Sequence, residues 1–486
     1  MSPLSFSETP EPSLGQILDV ELDDATLANN DVIKYDVADG LWKNGSGGGG
    51  GSATAIDVTD TNTDAVFYPT FVDGAGNNKT LRADVATTPF SINPNLGTIK
   101  LADTLFINGA TTGTDDSCIS IGKGSGVSQG KSAVAIGDNA GVTTQGDFGV
   151  SIGFNAGNNN QGNKGVGIGL RAGELNQAEA GIAIGERAGY SAQEIHATAI
   201  GHRSGNLSQG QRGVGIGYQS ANTDQEPDAI AIGSDAGKTT QGRNGIGIGL
   251  SAGKTNQDED AVAIGELAGE TTQGVATISV GRESGRFTQA NDAVAIGTNA
   301  GRTTQGTRSV AIGVDSGFNL QSFDSVAIGR FTANSNQGSE ATAVGTKAGN
   351  ISQGQRGCAF GAQAGENTQG TAACAMGRLA GEINQGRFAV GIGTEAGRSR
   401  QGDAATAVGY QAGFDRQGAS SVAIGQYAGR NIQPSRQIFI NATGVVPAAG
   451  VANACYIAPI RGAPLGLGLG VMKYDPLTFE VSYSTT

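Results

Sequence analysis

One glycine returns every sixteen residues through most of this chain. The Gly that closes the phrase AIG stands at 137, 153 and 169 and continues without a slip to 425, giving nineteen in-phase copies. An earlier copy, CISIGKGSGVSQG, ends its strand at Gly122 and is one residue shorter. A unit of sixteen residues cannot bury a core alone, whereas stacked turns bury a continuous one. The period therefore points to a solenoid and overrides the two to four domains that 486 residues would otherwise suggest.

Each column of the stack can be read separately. One residue before the Gly is Ile in most copies, with Val280, Val344, Phe360, Met376 and Val408 as substitutes. Three before is Val or Ile (Val134, Val294, Val422), or Thr198, Thr342 or Cys358. These columns alternate with their neighbours at period two, which predicts a short strand whose Val/Ile side faces inward. Cys358 and Cys374 share one of these columns on consecutive turns, so buried free thiols are expected there.

Two before the Gly, every copy carries Ala, Gly or Ser. A solvent face would accept Lys or Glu, so this face is expected to pack against another copy of the chain. The expected oligomer face comprises Ala135, Gly167, Ala199, Ala231, Ala263, Ala295, Ala327, Ala375 and Ala423.

Three and four after the Gly comes AG or a near equivalent, a corner at which Gly permits positive φ. Eight after it is Gln in all nineteen copies, usually followed by a Gly that is expected to make a second corner. The expected ladder includes Gln145, Gln161, Gln177, Gln209, Gln241, Gln273, Gln305, Gln337, Gln369, Gln401 and Gln433. Equivalent residues of stacked turns lie roughly 4.8 Å apart, close enough for the amides to donate and accept along the axis. Nineteen identical amides have a structural motive and no catalytic one. Eighteen spacings predict a rod of roughly 85–90 Å.

Composition narrows the function. Aromatic residues are 5% of the chain and 81 residues are Gly, which argues against a core of large side chains. A net charge of −13 makes a nucleic-acid partner a poor expectation. No stretch approaches eighteen apolar residues, so no membrane span is expected. The start, MSPLSFSETPEPSLGQ, does not read as a secretory signal.

GVGIG at 165–169 and 213–217 imitates half a dinucleotide fingerprint, but its glycines belong to the repeat columns. The two histidines, His196 and His202, read as surface residues. No catalytic residue, metal site or cofactor is expected.

The phrases SVAIG (309–313, 325–329, 421–425) and AVAIGxxAG resemble the head repeats of YadA-like trimeric adhesins, over about residues 116 to 433. That resemblance implies an all-β fold: a left-handed parallel β-roll of about 20 turns, three copies packed side by side as a homotrimer. The Gln column and the repeat length depart from that family's usual pattern. Residues 14–46 are similar to small N-terminal modules of fibre proteins from phages and large DNA viruses. Residues 437–484, with a YxxPIR phrase at 456–461 and a YxxxxxEVxYS phrase at 474–484, are similar to the tails of such fibres.

Together these imply a non-enzymatic fibre or spike on the virion surface. It would attach through its N-terminal module to capsid or other virion proteins, with a host cell-surface glycan or protein as candidate ligand. A bacterial-type surface adhesin head is the alternative. A polysaccharide-degrading spike would need a carboxylate pair in a groove, and eighteen spacings without an insertion argue against one. An ice-binding array would need regular Thr, and the column before Gln is irregular.

The expected organisation is an attachment module at 1–44, a Gly-rich hinge at 45–52, a small β region at 53–115, the roll at 116–433 and a cap at 434–486.

Overall fold

A computed structural model describes residues 118–446 and 452–458, together with the backbone of short strands on either side. The chain divides into two compact units, Met1–Leu105 and Phe106–Thr486. In the first, strand Leu41–Gly45 lies antiparallel to Val32–Asp36 and parallel to Val20–Glu21. Two further antiparallel pairs join Thr70–Val72 to Leu81–Ala83 and Ser91–Asn93 to Thr98–Lys100. Gly45, the first residue of the expected hinge, belongs to a strand, and residues 46–52 lie outside the described residues.

The second unit is a parallel β-solenoid of about 21 turns of roughly sixteen residues. Its first sheet is a ladder of 22 three- or four-residue strands running from Ile119–Ile121 to Cys455–Ala458. Register equals the sequence period: Val134 pairs with Val150 and Val150 with Val166. The second sheet has sixteen strands, from Thr143–Gln145 to Ile383–Gln385, in which Gln145 pairs with Gln161 and Gln161 with Gln177. The ladder does not stop at Gln433, because Ile438–Asn441 and Cys455–Ala458 add two more rungs. Within the expected cap, Val471–Tyr474 also pairs antiparallel with Val481–Ser484.

The corners explain which columns tolerate change. In the turn that starts at Gly137, five residues take positive φ: Gly137, Asn139, Gly141, Thr144 and Phe148. Gly137 sits at φ 127°, and a Cβ there would lie 2.6 Å from the carbonyl oxygen of Gly153 on the next turn. Neither condition admits another residue, hence the unbroken Gly column. The three non-Gly positions lie near φ 53–60°, the left-handed well that L-residues can occupy at some cost. The expected Gly corner after Gln is of another kind. Gly146 does not take positive φ, and the left-handed residues Thr144 and Phe148 flank it. Ala178, Glu194 and Pro434 therefore fit that column.

The core is narrow. Its walls are the small residue two before the Gly, the Ala, Ser or (once) Thr three after it, and the residue, usually small, twelve after it. Ala327, Ala343, Ala359 and Ala375 pack with Ala348, Ala364 and Ala380. The largest fully buried side chains are all glutamines, so amides occupy the one broad part of the section. At the C-terminal end the alanine column gives way to Phe439 and Tyr456, registered on Ala423. Their rings stack at 4.6 Å and close the alanine core with an aromatic pair.

Candidate interaction surface

The strands place their two faces opposite to the sequence expectation. Ala135, Ala199, Ala231, Ala263, Ala295, Ala327, Ala375 and Ala423 are completely buried within a single chain, and Gly167 is buried with them. They cannot touch a second copy. They are small because the opposite wall is close: a Cβ added to Gly269 would lie 3.3 Å from the Ala263 methyl. Period two is satisfied by either orientation, and the tight radius selects the one with small residues inside.

The Val/Ile columns therefore lie outside. Ile184, Ile216, Ile248, Ile264, Ile296, Ile328 and Ile424 each keep 36–40% of their surface exposed. Across all 22 rungs, neither column carries a charged residue. Parallel sheets are normally covered on both faces, and this face is left bare within one chain. At about 4.8 Å per rung the ladder is about 100 Å long, and two side-chain columns make a strip about 10 Å wide. The resulting area, on the order of 1,000 Å², exceeds the largest apolar patch of an ordinary monomer and matches one partner's share of a stable interface.

Three thiols interrupt that face, Cys358, Cys374 and the exposed Cys455. Cys358 and Cys374 are paired in register and half-exposed, not buried. A hydrogen bond between them pushes the Cys358 thiol up and brings Cys374 down to about 7.

The glutamines line the opposite side of the interior. Gln145, Gln161, Gln177, Gln209, Gln241, Gln273, Gln305, Gln337, Gln369, Gln401 and Gln433 are all buried. Gln241 shows the full pattern. Its Nε2 shares two hydrogens among Ile230 O (2.9 Å), Gly245 O (3.1 Å) and Gln257 Oε1 (3.0 Å), and its Oε1 accepts from Gln225 Nε2 (3.0 Å). The amide chain is unbroken from Gln161 to Gln305, with steps of 2.8–3.3 Å, and from Gln321 to Gln417. Between Gln145 and Gln161 the Ser151 hydroxyl bridges the gap. Gln321 and Gln433 each have an Oε1 without a donor, which marks two further breaks. Sequence alone does not reveal these breaks, since the Gln column is uniform.

Outside that face the surface is mixed, with single exposed apolar side chains such as Phe154, Leu170, Leu250, Phe323 and Phe388 among charged pairs. Arg286 contacts Glu270 (2.6 Å) and Glu283 (3.0 Å), and Arg302 contacts Glu283 (2.8 Å). Burial pushes Glu283 up, but the two guanidinium groups override it and hold its carboxyl below the usual range. Exposed pairs Arg212–Asp228, Arg308–Asp324 and Arg356–Glu340 each span one repeat. His202 stacks on Tyr218 at 5.2 Å. Among the described residues, no three His, Cys, Asp or Glu side chains gather as a metal site, and no helix is long and apolar enough to cross a membrane. No protein-family model, curated protein or solved structure matches the chain.

Proposed function

We propose that this chain is a non-enzymatic fibre or spike subunit of a virion, assembled side by side as a homotrimer through its Val/Ile face. Host attachment is its task. One observation carries the association: a continuous charge-free apolar strip of about 1,000 Å² along the whole ladder. Leaving it in water is costly, and a second copy offers a strip of the same length and repeat. The likeness to trimeric adhesin heads supports three copies over two. The virion surface as its location rests on the flanking phrases at 14–46 and 437–484.

The mechanism is geometric. A stiff rod carries variable outer residues, and three copies convert weak single contacts into avidity.

Light scattering on the purified full chain tests the assembly. The wild type is expected at three chain masses, and a chain carrying Ile264→Lys and Ile296→Lys at one, with its β-sheet circular dichroism retained. A monomeric wild type refutes the trimer. Immunogold labelling of purified particles tests the location, and label confined to unassembled protein refutes it.

A further inference from the structure

The last turns of the second sheet break the pattern of the rest. Its regular strands end at Ile383–Gln385, and beyond it single bridges join Ile383 to Ser399, Ser399 to Asp415 and Gln417 to Gln433. There the column five after the Gly reads Glu382, Arg398, Phe414, Arg430. Arg398 Cζ lies 5.3 Å from the centre of the Phe414 ring, and Arg430 Cζ lies 5.5 Å from the same ring and 5.4 Å from Tyr427. The two guanidinium groups differ in charge balance. Arg398 is paired with Glu382 and lies 4.0 Å from Glu395. Arg430 has no carboxylate partner among the described residues, and its buried Nε has no hydrogen-bond acceptor.

Beside this stack is a cleft of about 410 Å³ lined by Arg398, Ser399, Phe414, Asp415, Arg430 and Asn431. Asp415 is neutralised by Arg416 at 3.0 Å, so Arg430 supplies the cleft's surplus charge. The surroundings reinforce it: residues 377–436 hold seven arginines against four acidic residues, in a chain of net charge −13.

We infer that this cleft binds a carboxylated monosaccharide unit. A guanidinium fork held between two aromatic rings is preorganised for a planar carboxylate. A Ser hydroxyl, an Asn amide and an Asp carboxylate beside it match the mixed donors and acceptors of sugar hydroxyls. The volume falls within the range of small-ligand sites, roughly 300–1,000 Å³. The arginine–aromatic stack fixes both guanidinium groups before any ligand arrives, which lowers the entropic cost of binding. The site uses side chains of one chain only, so it stands whether or not the rod is a trimer or part of a virion.

The test is ligand-observed NMR titration of the full chain with glucuronate, glucose, acetate and inorganic sulfate at fixed ionic strength. Glucuronate is expected to bind in the millimolar range, with each of the other three about tenfold weaker. Arg430→Gln is expected to weaken glucuronate about tenfold, while Arg436→Gln, an exposed arginine outside the cleft, leaves it unchanged. Should Arg430→Gln unfold, Ser399→Ala with Asn431→Ala takes its place and is expected to erase the advantage of glucuronate over acetate. Four results overturn the assignment: no glucuronate binding, binding indifferent to these cleft variants, acetate or glucose as tight as glucuronate, or sulfate as tight as glucuronate.

Discussion

Replacing Gln241 by Leu tests the amide ladder where it is complete. The two side chains are similar in size and Gln241 is fully buried, so the change tests hydrogen bonding more than volume. The two Nε2 hydrogens, shared among three acceptors, and the bond accepted by Oε1 amount to about three hydrogen bonds lost. At about 1 kcal/mol net each, that is about 3 kcal/mol. Gln257 Oε1 also loses its donor, and an orphaned buried acceptor costs about 1–3 kcal/mol. Burial of the leucine side chain returns about 1.5–3 kcal/mol. The expected net loss is therefore about 1–4 kcal/mol.

The same change at Gln433 removes only the bonds to Val422 O and Gln437 O, and its Oε1 has no donor to lose. Its expected net cost is close to zero, about −1 to +0.5 kcal/mol. Denaturant midpoints give the two totals. Amide hydrogen exchange around Gly242 and Gly245 reads the local opening that a quasi-one-dimensional stack permits. Equal costs at the two positions, or a cost below about 1 kcal/mol at Gln241, would refute the ladder as a source of stability.

Other substitutions test the remaining columns. Gly265→Ala forces a side chain onto φ 128° and sets its Cβ 2.7 Å from Gly281 O, so a loss of about 2–4 kcal/mol is expected in chemical denaturation; a neutral change refutes the close-stacking argument. Ala263→Leu overfills the core and is expected to cost at least about 1–3 kcal/mol, whereas Ile264→Ser in the monomeric background costs under about 1 kcal/mol. The reverse order would place the small-residue column outside. The carboxyls of Asp228, Asp324, Glu340 and Glu283 are held below their ordinary values, so their unfolded forms protonate first on acidification. Their contribution is complete above about pH 5 and is lost as pH falls through the folded values, below about 4. A thermal midpoint that rises between pH 5 and 3 would contradict this sign.

Much of the fold is legible without coordinates. The sixteen-residue spacing alone predicts stacked turns in register, because any other pairing would mismatch every column at once. The Gly column is legible for the same reason, since its backbone must curve and touch the next turn. The last two rungs, at Ile438–Asn441 and Cys455–Ala458, are not, because there the Ala column becomes Phe439 and Tyr456 and the phase slips by a residue. The left-handed residues at Asn139, Thr144 and Phe148 share no residue type, so no composition signal announces them. The cleft at Arg398 and Arg430 also escapes a column reading, since it depends on which cations lack acids in three dimensions.

What the sequence determined by itself is periodicity: the register of the turns, the Gly that must stay Gly and the Gln that must meet its copies. What only the tertiary structure decided is which side of each strand faces inward. Alternation is symmetric, so Val-Ala-Ile can bury either its alanine or its two large residues. The radius breaks the tie. Turns of sixteen residues bend so tightly that the opposite walls meet at methyl distance, leaving room for Ala and an amide but not for two rows of Ile. The large apolar side chains are displaced to the outside, and the face that sequence reasoning places in the core becomes the surface available for assembly.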